Sequence, residues 1–297
     1  MTTKKIISKL RINQIYSALD ALKDSGWHSE TIYSPKELWK GKQISFPITA
    51  YYTKKKGSAL WIISGIHGEE PAGPCAIAEN IDFIRKLGEE IPIVLLPLCN
   101  PHGYYKNYRY PHQKKWAENS ENRSVGDSEY YLIEMIKPVK PRSYESACPE
   151  SKALINYVLN LVKKYPPSVS IDLHEDSLID KGYIYCSGTD YDLMEKVSPH
   201  ILNVLRKNGI PIQTSGRTRF GEPIVHGVVL DSIDGSIDEL LSSKKIVVNN
   251  RVVPGPSARV SVVVEIPAQS LPLSARINAH SAVILSLKKI SKFAGLV

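Results

Sequence analysis

WIISGIHGEEPAGP, residues 61–74, is an apolar run that stops at a His-x-x-Glu and passes into a segment able to start a helix. Trp61, Ile62, Ile63 and Ile66 make this run read as a strand. Pro71 suits a first helical turn, where its missing N–H costs nothing. At such a junction His67 and Glu70, three apart, converge on one point. An imidazole and a carboxylate so placed are a usual pair of ligands for a catalytic Zn²⁺. Four characters are a weak motif, and a polar surface turn reads the same way. The rest of the chain has to decide.

Working outward, Ala76, Ile77, Ile81, Ile84 and Leu87 form a core-facing helical stripe that ends at Gly88, and IPIVLLPLCN (91–100) is a second buried strand. Strand, helix, strand implies a right-handed crossover. Upstream, ISFPITAYYT (44–53) and ALWIISGI (59–66) flank KKKGS and predict a hairpin that delivers the second strand's carboxyl end to the site. Ile6 to Leu22 is spaced as an amphipathic helix closing near Asp24-Ser25-Gly26. Downstream, residues 100–148 lack a long periodic segment, the mark of a functional loop region. ESKALINYVLNLVKKY (150–165) restores helical spacing, and SVSIDLHED (168–176) is a strand carrying His174. GYIYCSG (182–188) is another strand, and residues 190–209 a helix in which Pro199 marks a kink or a break. Residues 210–258 are irregular, with short hints at SIDELL and IVVNNRVV; RVSVVVEIP (259–267) is a β-branched strand bearing Glu265, and a closing helix follows. Strands alternating with helices indicate the α/β class. With no repeat or low-complexity linker, the chain reads as a catalytic domain over 58–297 and an amino-terminal extension over 1–57.

Composition limits the alternatives. At 297 residues, 42% apolar and 23% charged, the chain has the make-up of a globular protein. No apolar run reaches the roughly 18 residues of a membrane span, and MTTKKIISKLRINQ is too charged for a signal-peptide core, so a cytoplasmic protein without membrane contact is expected. Cys75, Cys99, Cys148 and Cys186 form no Cys-x-x-Cys and are read as reduced, mostly buried thiols. The net charge of +8 is concentrated in residues 1–60, with 11 Lys/Arg against 4 Asp/Glu. Without any nucleic-acid-binding pattern, that basic face is a solvated surface or an anion or subunit contact, and no nucleic-acid partner is expected.

Three strands thus end in His67/Glu70, His174 and Glu265, and the carboxyl ends of strands are where sites assemble in open α/β sheets. Two histidines and one carboxylate leave a fourth zinc position for water. Glu265, at the end of an apolar strand where desolvation raises a carboxyl pKa, suits the base that such a site needs. Asp172, two residues before His174, is a partner for that histidine or a plain strand polar residue. His28, His200 and His280 take surface or helix positions, His102 and His112 fall in the long loop, and His226 belongs to a specificity loop with Arg217 and Arg219.

HGEE, NPHG (100–103) with Arg109 after it, Asn122-Arg123, the DLH ending at His174, and VVVEIP with Glu265 stand in the order of the M14 zinc carboxypeptidases. The chain resembles that superfamily, including its succinylglutamate desuccinylase/aspartoacylase branch, over roughly residues 58–295. The resemblance implies a twisted mixed, mainly parallel sheet with helices on both faces. It implies one zinc ion held by His67, Glu70 and His174, with Glu265 activating the water. It further implies that Arg109 stabilises the oxyanion and that Asn122 and Arg123 hold the substrate's carboxylate, a task suited to a guanidinium fork.

Two departures bear on the substrate. Tyr191 is the last tyrosine, too early for the mobile tyrosine of digestive-type carboxypeptidases, and Asn122-Arg123 continue as Ser124-Val125-Gly126-Asp127. The expectation is a zinc-dependent hydrolase acting on an amide in a small carboxylate-bearing peptide, such as a cell-wall-type fragment. An N-acyl amino acid amidohydrolase is the alternative, disfavoured by the single helix after Glu265 where that branch adds a β-rich domain. A non-catalytic binding protein on the same fold is the alternative of another class. Glu175 and Asp176 would recognise a substrate amine, and Arg217, Arg219 and Arg259 an acidic group. Homo-oligomerisation is left open.

Overall fold

In the computed structural model, which describes residues 9–39, 41–111, 124–134 and 140–297, the apolar runs become the centre of one sheet and the helices cover it. The chain begins with α1 (Ile12–Asp24), β1 (His28–Tyr33), β2 (Lys36–Trp39), β3 (Lys42–Ser45) and β4 (Ile48–Tyr52). Then come β5 (Ala59–Ser64), α2 (Ala72–Glu79), α3 (Ile81–Glu90), β6 (Ile93–Leu96) and α4 (Pro101–Lys106). α5 (Pro149–Leu161) leads to β7 (Pro167–Asp176), β8 (Tyr183–Ser187) and α6 (Tyr191–Lys207). Residues 210–258, which lack clear periodicity, hold β9 (Ser215–Arg217), β10 (Pro223–Val225), β11 (Val228–Leu230), α7 (Ile237–Ser242), β12 (Lys245–Val248) and β13 (Arg251–Pro254). Last are β14 (Val260–Pro267) and α8 (Leu273–Phe293).

Ten strands form a mixed sheet in the order β1-β4-β6-β5-β7-β14-β8-β11-β10-β9. The four central strands β6, β5, β7 and β14 run parallel, and antiparallel pairs dominate toward both edges. All ten residues of β7 are buried, as a parallel strand covered on both faces requires. Two of the strands, β1 and β4, come from residues 28–52, so the amino-terminal part contributes directly to the sheet.

The predicted hairpin does not form. β6 lies between β4 and β5, antiparallel to the first and parallel to the second. Ile93–Leu96 is buried throughout and gains more in the interior of the sheet than a direct β4–β5 pairing would allow. The helix after Glu70 is two helices, broken at Asn80. Gly88 does not end the second but makes room for Trp27, whose Cζ2 would lie 2.2 Å from a Cβ at that position. Pro199 sits inside an unbroken α6, which buries Leu193, Val197, Ile201 and Leu205.

Side chains alternate across the sheet, and the alternation places the site. Val169, Ile171 and Leu173 of β7 and Val260, Val262 and Val264 of β14 join the core under α1, α2, α3, α6 and α8. Asp172 and His174, and with them Val263 and Glu265, therefore face the opposite side, where α5 and α7 pack. His280 of α8 is fully buried on the first side rather than on a surface. Burial holds its pKa down to about 3. Above pH 6.5 the ring is neutral in both folded and unfolded chains; below it the unfolded chain takes up a proton that the fold refuses, so stability falls as pH falls. Urea unfolding at pH 7.5 and pH 5 is expected to show wild type losing up to about 2 kcal/mol more than His280→Leu over that interval.

Candidate metal centre

His67 and Glu70 lie in the loop between β5 and α2, and His174 near the end of β7, the strand paired parallel to β5. The loop is shaped by a close approach. A Cβ at Gly68 would fall 2.0 Å from the Gly103 carbonyl carbon, so only glycine lets the loop rest on α4. Asn100 caps α4 by accepting from the Gly103 N–H at 2.8 Å, and its Nδ2 donates to the Arg109 carbonyl at 3.1 Å. The Gly68 N–H donates to that same carbonyl at 3.2 Å. HGEE, NPHG and Arg109 are thereby one interlocked unit.

His67 Nδ1 is 2.7 Å from Glu70 Oε1, and His174 Nδ1 is 3.1 Å from Glu70 Oε2. The ligand atoms of His67, Glu70 and His174 lie within 4.8 Å of one another, the one such group among the described residues. Behind His174, Nε2 is 3.1 Å from Asp172 Oδ2. The Asp172 carboxylate at that distance favours a proton on Nε2, and Nδ1 is the nitrogen on the Glu70 side. Two imidazole nitrogens gathered around a carboxylate form a donor set that calls for a cation, and two N donors with one O donor suit Zn²⁺.

The electrostatics agree with that assignment. Burial, then Arg109, hold the His67 pKa down to about 4, leaving a neutral ring able to donate a lone pair. Burial pushes the Glu70 carboxyl up, but His67 and His174 outweigh it and hold it well below the usual range, ionised. Burial pushes His174 down, but Asp172 and Glu70 carry it well above its ordinary value, which records how much positive charge this spot attracts.

Glu265 stands beside His174 in the parallel register of β14 with β7, and opposite Tyr183 of β8. The residue is half-buried, and its Oε2 is enclosed without a hydrogen-bond partner among the described residues. Burial, opposed by His174, pushes its carboxyl up to about 8. Arg109 Nη1 bonds Glu70 Oε1 at 3.1 Å and Glu69 Oε1 at 3.2 Å, which places a guanidinium at the metal group. Four of the expected positions and Arg109 thus come together. Asn122 and Arg123 lie outside the described residues.

Other expectations change. Glu175 points away from the site, its carboxylate taken up by the Ala72 N–H and Arg276, so it offers nothing to a substrate amine. Asp176 pairs with Arg219 at 3.3 Å. Arg259 pairs with Asp190 and caps the carbonyl of Ala294, far along the chain ends of α6 and α8. His226, at a positive φ of 54°, occupies the tight turn between β10 and β11. Arg276 has a weak sequence signal, a lone cation in the first turns of the closing helix, well before Lys288, Lys289 and Lys292 at its other end.

No family model matches the sequence, and no curated protein matches it. Solved structures do. A candidate metallopeptidase from Shewanella amazonensis is 23% identical, with a TM-score of 0.68 over 95% of this chain and 92% of the other. One from Shewanella denitrificans is 20% identical, with a TM-score of 0.70 over 99% of both chains. A metallo-carboxypeptidase from Pseudomonas aeruginosa, in complex with (2-guanidinoethylmercapto)succinic acid, is 13% identical, with a TM-score of 0.56 over 96% of this chain and 70% of the other. The likeness is one of fold: an α/β sheet flanked by helices over nearly the whole length.

Proposed function

We propose that this protein is a zinc metallohydrolase of the carboxypeptidase type that cleaves an amide bond in a small, carboxylate-bearing peptide. The observation that carries the proposal is the convergence of His67, Glu70 and His174 on one point, with Glu265 beside His174 in strand register. The carboxypeptidase-like fold supports it. The catalytic unit takes in residues 58–297, and its sheet is completed by β1 and β4 from residues 28–52.

His67, Glu70 and His174 would hold the zinc ion, which when bound would supply Lewis-acid polarisation and a water acidic enough to act as a nucleophile at neutral pH. Glu265 takes the proton of the attacking water and returns it to the leaving nitrogen; a carboxyl raised by burial is poised for both directions. Arg109 exchanges its contact with Glu70 for the oxyanion that develops on the scissile carbonyl. Asp172, beside Nε2 of His174, would favour the tautomer that leaves Nδ1, on the Glu70 side, free to donate. Asn122 and Arg123 hold the substrate's carboxylate.

Of the three arginines considered for an acidic substrate, Arg219 alone reaches the site. It bonds Asp176, which follows His174 by two residues and so shares its face of β7, and it lies 4.7 Å over the Phe220 ring. The turn that carries it is anchored by Thr218 and Glu222, which bond each other at 3.0 Å, and by Tyr185, which donates to Glu222 at 3.1 Å. A substrate acid competes with Asp176 for this guanidinium. Peptides with a Glu residue are expected to show higher kcat/KM than their Gln counterparts, and Arg219→Ala to narrow that ratio about tenfold, the effect of one lost charged hydrogen bond. An unchanged ratio would remove Arg219 from recognition.

The test of the reaction class is a panel of dipeptides, γ-glutamyl and muramyl-type peptides, and N-acyl amino acids, with zinc-loaded protein. Release of a free amino acid from peptides is the expected result. Turnover of N-acyl amino acids alone would replace the peptidase by the amidohydrolase, and turnover of none would leave a binding protein.

A further inference from the structure

The two oxygens of Glu70 are held differently. Oε1 meets His67 and Arg109, whereas Oε2, besides facing His174 Nδ1 at 3.1 Å, accepts the backbone N–H of Glu175 at 3.1 Å. Glu175 follows His174 on β7, so its side chain points through the sheet to the opposite face, toward α2 and α8. There its Oε2 accepts the N–H of Ala72, the first residue of α2, at 2.7 Å. One residue therefore clamps the metal loop twice: its main chain fixes the Glu70 carboxylate, and its own carboxylate fixes the chain two residues later.

The clamp places a carboxylate in a core position, since the Glu175 side chain is only 1% exposed. A buried anion holds its geometry only when a counter-charge is supplied with it. Arg276 of α8 supplies it: its Nη1 donates to Glu175 Oε1, and its own side chain is 13% exposed. No other described residue donates a side-chain hydrogen bond to Glu175.

We infer that Arg276 is a positioning residue for the metal centre, acting through Glu175 on the Glu70 loop. The inference rests on His67, Glu70 and His174 being metal ligands. Without the guanidinium, the Glu175 carboxylate loses the one side chain that holds it in place, which loosens its grip on the Ala72 N–H and with it the approach of Glu70 to the two histidines. Arg276 touches none of the ligands, so its effect is read in metal affinity.

The test measures the zinc dissociation constant of the full chain by chelator competition, with thermal unfolding measured alongside. Arg276→Met is expected to weaken zinc binding about 10- to 100-fold, the range seen when supports of metal ligands are removed. Arg276→Lys, which keeps the charge, is expected to recover most of that loss. Arg276→Met combined with Glu175→Gln, which removes the stranded anion while keeping an oxygen for Ala72, is expected to bind zinc more tightly than Arg276→Met alone, and it remains informative if the single variant fails to fold. Wild-type affinity in Arg276→Met with only a lowered Tm would overturn the inference and make the pair purely structural. A double variant no better than the single would overturn it as well. A wild-type chain that binds no zinc would overturn the ligand assignment beneath it, a separate outcome.

Discussion

Glu265→Gln is expected to reduce kcat by roughly 10²- to 10⁴-fold, the usual contribution of a positioned general base, while zinc content stays at the wild-type level. The substitution keeps size and shape, and the residue sits in a strand whose neighbours Val264 and Ile266 are fully buried, so the fold has no reason to change. What it removes is the ability to accept a proton. Among the described residues the Glu265 Oε2 has no hydrogen-bond partner, so the substitution breaks no bond at that oxygen. Measuring kcat, KM and metal content together separates the outcomes. Loss of kcat at constant zinc assigns the base, and surviving activity would put it elsewhere. Loss of zinc with loss of activity would give Glu265 a part in binding the ion.

The larger effect is expected at the ligands. His174→Ala removes the one donor that β7 contributes and leaves Asp172, 1% exposed, without the imidazole that faces it. Two donors on a loop are then left to hold the cation. Losing the metal forfeits several kcal/mol of transition-state stabilisation, at least on the order of 10³ in rate. Added zinc is expected to restore activity to chelator-treated wild type and not to the variant. Restoration of both would show that His174 is dispensable and that the His-Glu-His group is not the centre.

Most of this site could be read before the structure because each of its parts ends an apolar run. His67, His174 and Glu265 follow Trp61–Ile66, Val169–Leu173 and Val260–Val264, and buried parallel strands expose only their carboxyl ends to chemistry. The support beneath the site was not legible. Arg276 and Glu175 are 101 residues apart, and their meeting depends on which face of β7 is covered by which helix. The hairpin at 44–66 does not form for a related reason: neighbouring runs suggest neighbouring strands, and nothing local tells that β6, at Ile93–Leu96, takes the place between them. Gly88 looked like a helix end because glycine usually punctuates, whereas here the missing side chain admits Trp27. The arginines show the limit for specificity. Arg219 and Arg259 are the same residue type in the same stretch of chain, and only the fold turns one to the site and the other to Asp190.

Zinc stoichiometry tests the central claim most directly. The full chain, dialysed against zinc at neutral pH and assayed for metal by inductively coupled plasma mass spectrometry, is expected to hold one ion per chain, and the His67→Ala/His174→Ala variant none. A wild-type chain that is folded by circular dichroism yet holds no zinc, or a double variant that holds as much as wild type, would contradict a metal centre built from His67, Glu70 and His174.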